Sequence, residues 1–230
     1  MITPESAPVL VRISLVLVLV SAAFLLSSRN LPNLVRIYQL QSLLLVIIAV
    51  FLAGIEDHAL LLLVAGLTFI SKVWGIPTFI RMIQQRIQIH QDIRFSYLHP
   101  AGALIVSILI ILLVYTCFSR ILDSLYESSS LFFLGSVIGV SMVLMGLIAV
   151  FSRKMAITKV IGYLSMENGV LLFGMFVTEL PFIIEFVIMV DLIILVLLTS
   201  ILTVGIDSSI EEYKERMQEF HLFTGEEAVQ

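Results

Sequence analysis

The stretch "GYLSMENGVLLF", residues 162–173, decides how the chain folds. Apart from Glu167 and Asn168 it is the centre of an apolar run from 155 to 178. Such a run is long enough to cross the hydrocarbon core of a bilayer, which is roughly 30 Å thick and needs about 20 apolar residues in a helix. An ionisable carboxyl in the middle of it needs either a partner or a use, because a charge at the bilayer centre costs about 2.5–3.5 kcal/mol on insertion scales.

The rest of the sequence places this run in a membrane chain. Hydrophobic residues make up 60% and charged residues 13% of the 230 residues, whereas soluble domains average about 45–50% and 25%. Continuous apolar stretches near 8–27, 34–54, 59–80, 101–119, 131–151, 155–178 and 182–205 predict an all-α polytopic bundle of about seven spans. Residues 1–205 then form one transmembrane domain. Residues 206–230 form a cytoplasmic amphipathic tail that begins at a capping box, Ser208 with Glu211, and carries the apolar stripe Ile210, Tyr213, Met217 and Phe220. The first stretch reads as a retained span rather than a signal peptide. Residues 81–99, "RMIQQRIQIHQDIRFSYLH", fit either a short interfacial helix or a solvated loop carrying ordinary surface histidines, His90 and His99.

Alternating the seven spans sorts the basic residues. Arg29 and Arg36, Arg81, Arg86 and Arg94, Arg153, Lys154 and Lys159, and Lys214 and Arg216 fall on one side. Arg12 and Arg120 fall on the other with Glu56, Asp57, Asp123, Glu127 and Glu179. The positive-inside bias then sets the N-terminus outside and the C-terminus in the cytoplasm. A net charge of −4 argues against nucleic-acid binding. The single cysteine, Cys117, lies in an apolar run and reads as a small packing residue.

Glu167 is not the only ionisable residue deep in a span. Lys72 lies past the middle of the third ("FISKVWGIP", 69–77) and Asp191 near the middle of the seventh, with Glu185 nearer the outer surface. Each alone reads about equally well as a paired group holding helices together. Three of both signs favour a proton or cation path, because helices associate through Ser, Gly or Asn at less cost. Desolvation and a nearby ammonium act on a carboxyl in opposite directions, so Glu167 and Asp191 can be poised to load and release a proton depending on where Lys72 sits. Asn168, Gln41, Ser165 and Ser71 offer neutral groups to hold connecting water. No nucleophile–base pair, phosphate loop, metal set or haem motif stands out. The chain therefore reads as non-enzymatic by itself and free of cofactors.

A faint parallel repeat accompanies these residues. Spans two and three carry "QS" (41–42) and then Lys72. Spans six and seven carry "EN" (167–168) and then Asp191, running in the same direction.

The stretches "KVIGYLSMENGVLLFG" (159–174), "IIEFVIMVDLIILVLLTSIL" (183–202) and "FISKVWGIP" resemble the hydrogenase-4 component E family. Its members are membrane subunits of energy-converting hydrogenase and formate hydrogenlyase complexes. The most specific part is Gly162, Tyr163, Met166, Glu167, Asn168 and Gly169, with Asp191 in the next helix. The C-terminal hairpin is more distantly similar to the K subunit of respiratory complex I, whose two helices each carry a glutamate of a lateral proton path. Asp191 stands at the second position. With Asn168 matched to that subunit's asparagine, Glu167 falls three residues beyond the first, about 4.5 Å along a helix axis.

The resemblance implies antiporter-like membrane subunits, a quinone-site-like membrane subunit and a peripheral iron–sulfur or hydrogenase-type arm as partners, in the inner (cytoplasmic) membrane. It implies a proton pathway through Glu167, Asp191 and Lys72. The rival reading is a structural assembly subunit, of such a complex or of a multisubunit cation/proton antiporter, whose charges are statically paired.

Overall fold

The computed structural model describes residues 7–56, 59–87, 99–122, 130–153 and 155–177, together with Val190, Ile193, Ile194, Val196 and Ser200. Among them the chain is helical apart from short turns: α1 (Ala7–Ser27), α2 (Leu31–Glu56), α3 (Ala59–Thr68), a π-helical segment (Phe69–Gly75), α4 (Ile76–Ile87), α5 (Pro100–Leu122), α6 (Ser130–Ser152) and α7 (Ala156–Val177). Among the described residues, six helical stretches are long and apolar enough to cross a membrane. Of the expected seventh span, the five isolated described residues are helical; the others, the tail and most of 81–99 beyond Ile87 lie outside the described residues.

The burial pattern is that of a membrane protein. Large apolar side chains such as Ile105, Leu109, Leu112, Trp74 and Phe151 face outward, while Lys72, Gln41, Ser42, Glu167 and Asn168 are buried. In water that distribution would be costly. In lipid it puts hydrocarbon against hydrocarbon and leaves the polar groups to satisfy one another inside.

Short connections make neighbours antiparallel. Three residues, 28–30, join α1 to α2, and three, 153–155, join α6 to α7. Asn30 opens α2 by accepting Leu34 N–H at 3.0 Å, with Pro32 in the first turn, where a missing N–H costs nothing. Pro100 likewise begins α5, and His99 accepts Ala103 N–H at 2.9 Å.

One end of the bundle is tied by its loops. Arg153, 5% exposed, donates to the Leu25 and Ser28 carbonyls at 2.7 and 3.1 Å. It thereby satisfies carbonyls that α1 leaves open at its C-terminus, where a cation also suits the helix dipole. Ser27 donates to the Pro100 carbonyl at 3.3 Å. At the opposite end Tyr115 and Phe133 meet edge to face, with ring centroids 5.8 Å apart.

Among the described helices the seam between α6 and α7 is the most extensive, and glycine makes it possible. A Cβ on Gly139 would stand 2.8 Å from Phe173 N, and one on Gly169 would stand 2.7 Å from Val143 N and 2.8 Å from Gly139 O. The two backbones touch there, as small residues allow in membrane helix pairs. By contrast α5 is peripheral, with 22% of its most apolar window buried. Cys117 on α5 is exposed, so it is not the small packing residue its apolar surroundings suggest; the broad outward face of α5 carries it away from the core.

The third span also departs from a plain helix ending near 80. It runs helically to Ile87, with a π-helical break centred on Lys72. Ile76 N–H bonds to the Ser71 carbonyl five residues back. Such bulges are rare overall and frequent at functional sites.

Candidate functional site: a buried charge pair between three helices

The close α6–α7 seam sets the position of α7, and with it Glu167 and Asn168. Gly169 faces α6. Asn168, one residue back and about 100° round the helix, faces α2 instead. There its Nδ2 donates to Gln41 Oε1 at 3.3 Å and to Ser42 Oγ at 3.1 Å. The two mid-span polar pairs of the sequence, 41–42 and 167–168, therefore meet.

Lys72 enters this contact from the π-helical segment. Its ammonium Nζ donates to Glu167 Oε1 in a salt bridge and approaches Asn168 Oδ1 at 3.4 Å. Both charges are withdrawn from solvent: Lys72 is 0% and Glu167 2% exposed. Asn168 is the hinge of the cluster, because its carbonyl oxygen takes the cation while its amino group reaches the neutral side chains on α2. Gln41 Nε2 and, one turn before Lys72, Thr68 Oγ1 are buried polar atoms without a hydrogen-bond partner among the described residues.

Of the residues singled out in the sequence, Lys72, Glu167, Asn168 and Gln41 come together. Ser165 is buried on α7. Ser71 donates to the Leu67 carbonyl of its own helix at 2.9 Å. Asp191 and Glu185 lie outside the described residues. Ser42, part of the quoted "QS" pair, is a full member of the cluster, and its place beside Gln41 is the signal that marked it. Gln39, a second-span glutamine, contacts the π-helical segment instead, with Nε2 2.8 Å from Val73 O.

Chemically, the cluster sets an amine against a carboxylate, with an amide beside them that donates and accepts at once. Among the described residues no three His, Cys, Asp or Glu side chains converge, so donors for a protein-held metal are not assembled there.

The chain matches no family model, no curated protein and no solved structure.

Proposed function

We propose that the chain is a non-catalytic membrane subunit of a multisubunit energy-converting oxidoreductase, of the group 4 hydrogenase or complex I-like kind. In it, Glu167, Lys72 and Asp191 contribute to a lateral proton path. The observation that carries this reading is the buried Lys72–Glu167 pair: two opposite charges from different hairpins, meeting in the interior of the bundle. Ionisable groups so placed are candidates for function, because the membrane penalises them. The resemblance of Gly162–Gly169 and of Phe69–Pro77 to hydrogenase-4 component E supports the same reading, and with it the antiporter-like, quinone-site-like and iron–sulfur partners in the cytoplasmic membrane. Gln41 Nε2 and Thr68 Oγ1 are the groups through which water would join the pair to its surroundings.

A second reading has an observation of its own. Asn168, Gln41 and Ser42 tie α7 to α2 through hydrogen bonds, and a salt bridge beside them fits a static clamp in a structural subunit.

The test is to replace both charges at once, Lys72→Met with Glu167→Leu, in the assembled complex, and to measure protons moved per turnover. The proposed relay loses pumping although no unpaired charge is left behind. Wild-type pumping in the assembled double variant refutes it in favour of the clamp.

A further inference from the structure

The break in the third span poses an accounting problem, because buried backbone groups must find partners. Where the α-helical ladder resumes after the π-helical segment, at Ile76, the Val73 carbonyl falls to the N–H of residue 77. That residue is Pro77, which has none. With Ile76 N–H committed to Ser71, the ladder changes register at this point.

The missing donor comes from another helix. Gln39 of α2 gives its Nε2–H to Val73 O at 2.8 Å. The other end of the same amide, Oε1, accepts Arg81 Nη2 at 2.8 Å. Gln39 thus grips the third span on both sides of Pro77, and the backbone atom it holds belongs to the residue next to Lys72.

We propose that Gln39 is a positioning residue for Lys72. By supplying the donor that Pro77 withholds, it holds the π-helical register that turns the ammonium toward Glu167 on α7. Its consequence for pumping rests on the proton-path reading above; its geometric content does not.

The task needs a glutamine. One side chain must donate to a carbonyl and accept from a guanidinium, and the glutamine amide does both from the two atoms of one end group. A carboxylate at the same place keeps Arg81 but has nothing to give Val73. Gln39→Glu therefore separates the two contacts. Pro77→Ala restores an N–H at residue 77 and makes the borrowed donor dispensable.

The experiment uses the full chain in lipid nanodiscs, a brief pulse of acetic anhydride, and mass spectrometry of each lysine. In the wild type the buried Lys72 is protected while the exposed Lys159 is acetylated and serves as the reference. Losing one hydrogen bond and leaving a carbonyl unserved is worth about tenfold in local opening. Gln39→Glu therefore raises Lys72 acetylation about tenfold relative to Lys159, and adding Pro77→Ala returns it to the wild-type level.

Unchanged protection in Gln39→Glu, or a double variant no better protected than the single, overturns the proposal. If Gln39→Glu fails to fold, the double variant decides alone: recovery supports the pairing with Val73 and continued failure overturns it. In the parent complex, protons per turnover fall in Gln39→Glu and recover with Pro77→Ala. Lys72→Gln measured alongside keeps the two ideas apart. Normal pumping in Lys72→Gln refutes the proton path, while the acetylation result still decides the role of Gln39.

Discussion

Removing one member of the Lys72–Glu167 pair should cost far more stability than removing both. Glu167→Gln leaves an ammonium, 0% exposed, without its counter-charge. Lys72→Met leaves a carboxylate, 2% exposed, in the same position. Stripping one partner from a buried ion pair costs about 3–5 kcal/mol, whereas exchanging both for apolar residues of similar volume ranges from neutral to stabilising by about 1–4 kcal/mol. Each single variant should therefore lose roughly a hundred- to several-thousand-fold in its unfolding equilibrium. The double variant Lys72→Met with Glu167→Leu should return to near the wild type, so the single costs fail to add by at least the size of one of them. Reversible unfolding of the purified chain in bicelles measures this cycle. Two single costs that simply add would refute the pairing as an energetic unit. The same double variant, placed in the complex, then separates the proton-path reading from the clamp: regained stability with lost pumping fits the first, and regained stability with full pumping fits the second.

Three further outcomes follow from other contacts. Gly139→Ala puts a methyl 2.8 Å from Phe173 N, where backbone cannot yield cheaply, so thermal unfolding should show a loss of about 1–3 kcal/mol or more; Gly54→Ala, with nothing within 4 Å, should be nearly silent. Arg153→Met removes the donors to Leu25 O and Ser28 O, and amide exchange should accelerate selectively in the last turn of α1, with Arg153→Lys only partly protective because an ammonium lacks the planar guanidinium fork. Asn168→Leu strands Gln41 Oε1, Ser42 Oγ and one contact of Lys72; at about 1–3 kcal/mol per unsatisfied buried group, unfolding measurements should show a larger loss than for Ser165→Ala on the same helix.

The helical, membrane-embedded character was legible because hydropathy over 20-residue windows is a strong signal, and six of the stretches read from it correspond to helices within a few residues at most ends. Lys72, Glu167, Asn168 and Gln41 stood out for the same reason in reverse, as polar letters where lipid penalises them. Their mutual contacts were not legible. Lys72 and Glu167 are 95 positions apart, and periodicity within a helix carries no information about which distant helix a face meets. The π-helical break hid because Phe69–Gly75 has the composition of an ordinary span; only Gly75 and Pro77 hinted at it, and they were compatible with a simple end near residue 80. The α6–α7 seam left a readable trace, Gly135 and Gly139 spaced by four with Gly162 and Gly169 in the partner, but small residues attract less notice than charges. Cys117 was misjudged because apolar neighbours in sequence do not distinguish a helix face turned to the core from one turned to lipid.

The placement of the neutral groups sharpens the choice between clamp and relay. Asn168 already fastens α7 to α2 through Gln41 and Ser42, and the glycine seam already fastens α7 to α6. Gln39 fastens the third span to α2 through Val73 and Arg81. Every helix that bears a member of the charge pair is thus joined to its neighbour by neutral or surface contacts that avoid the desolvation penalty of buried ions. A salt bridge added only for cohesion would be redundant at the depth where charge is dearest. A carboxylate and an amine that must exchange a proton have no neutral substitute. The proposed proton role accounts for the ionisable groups, and the surrounding amides and glycines account for the packing.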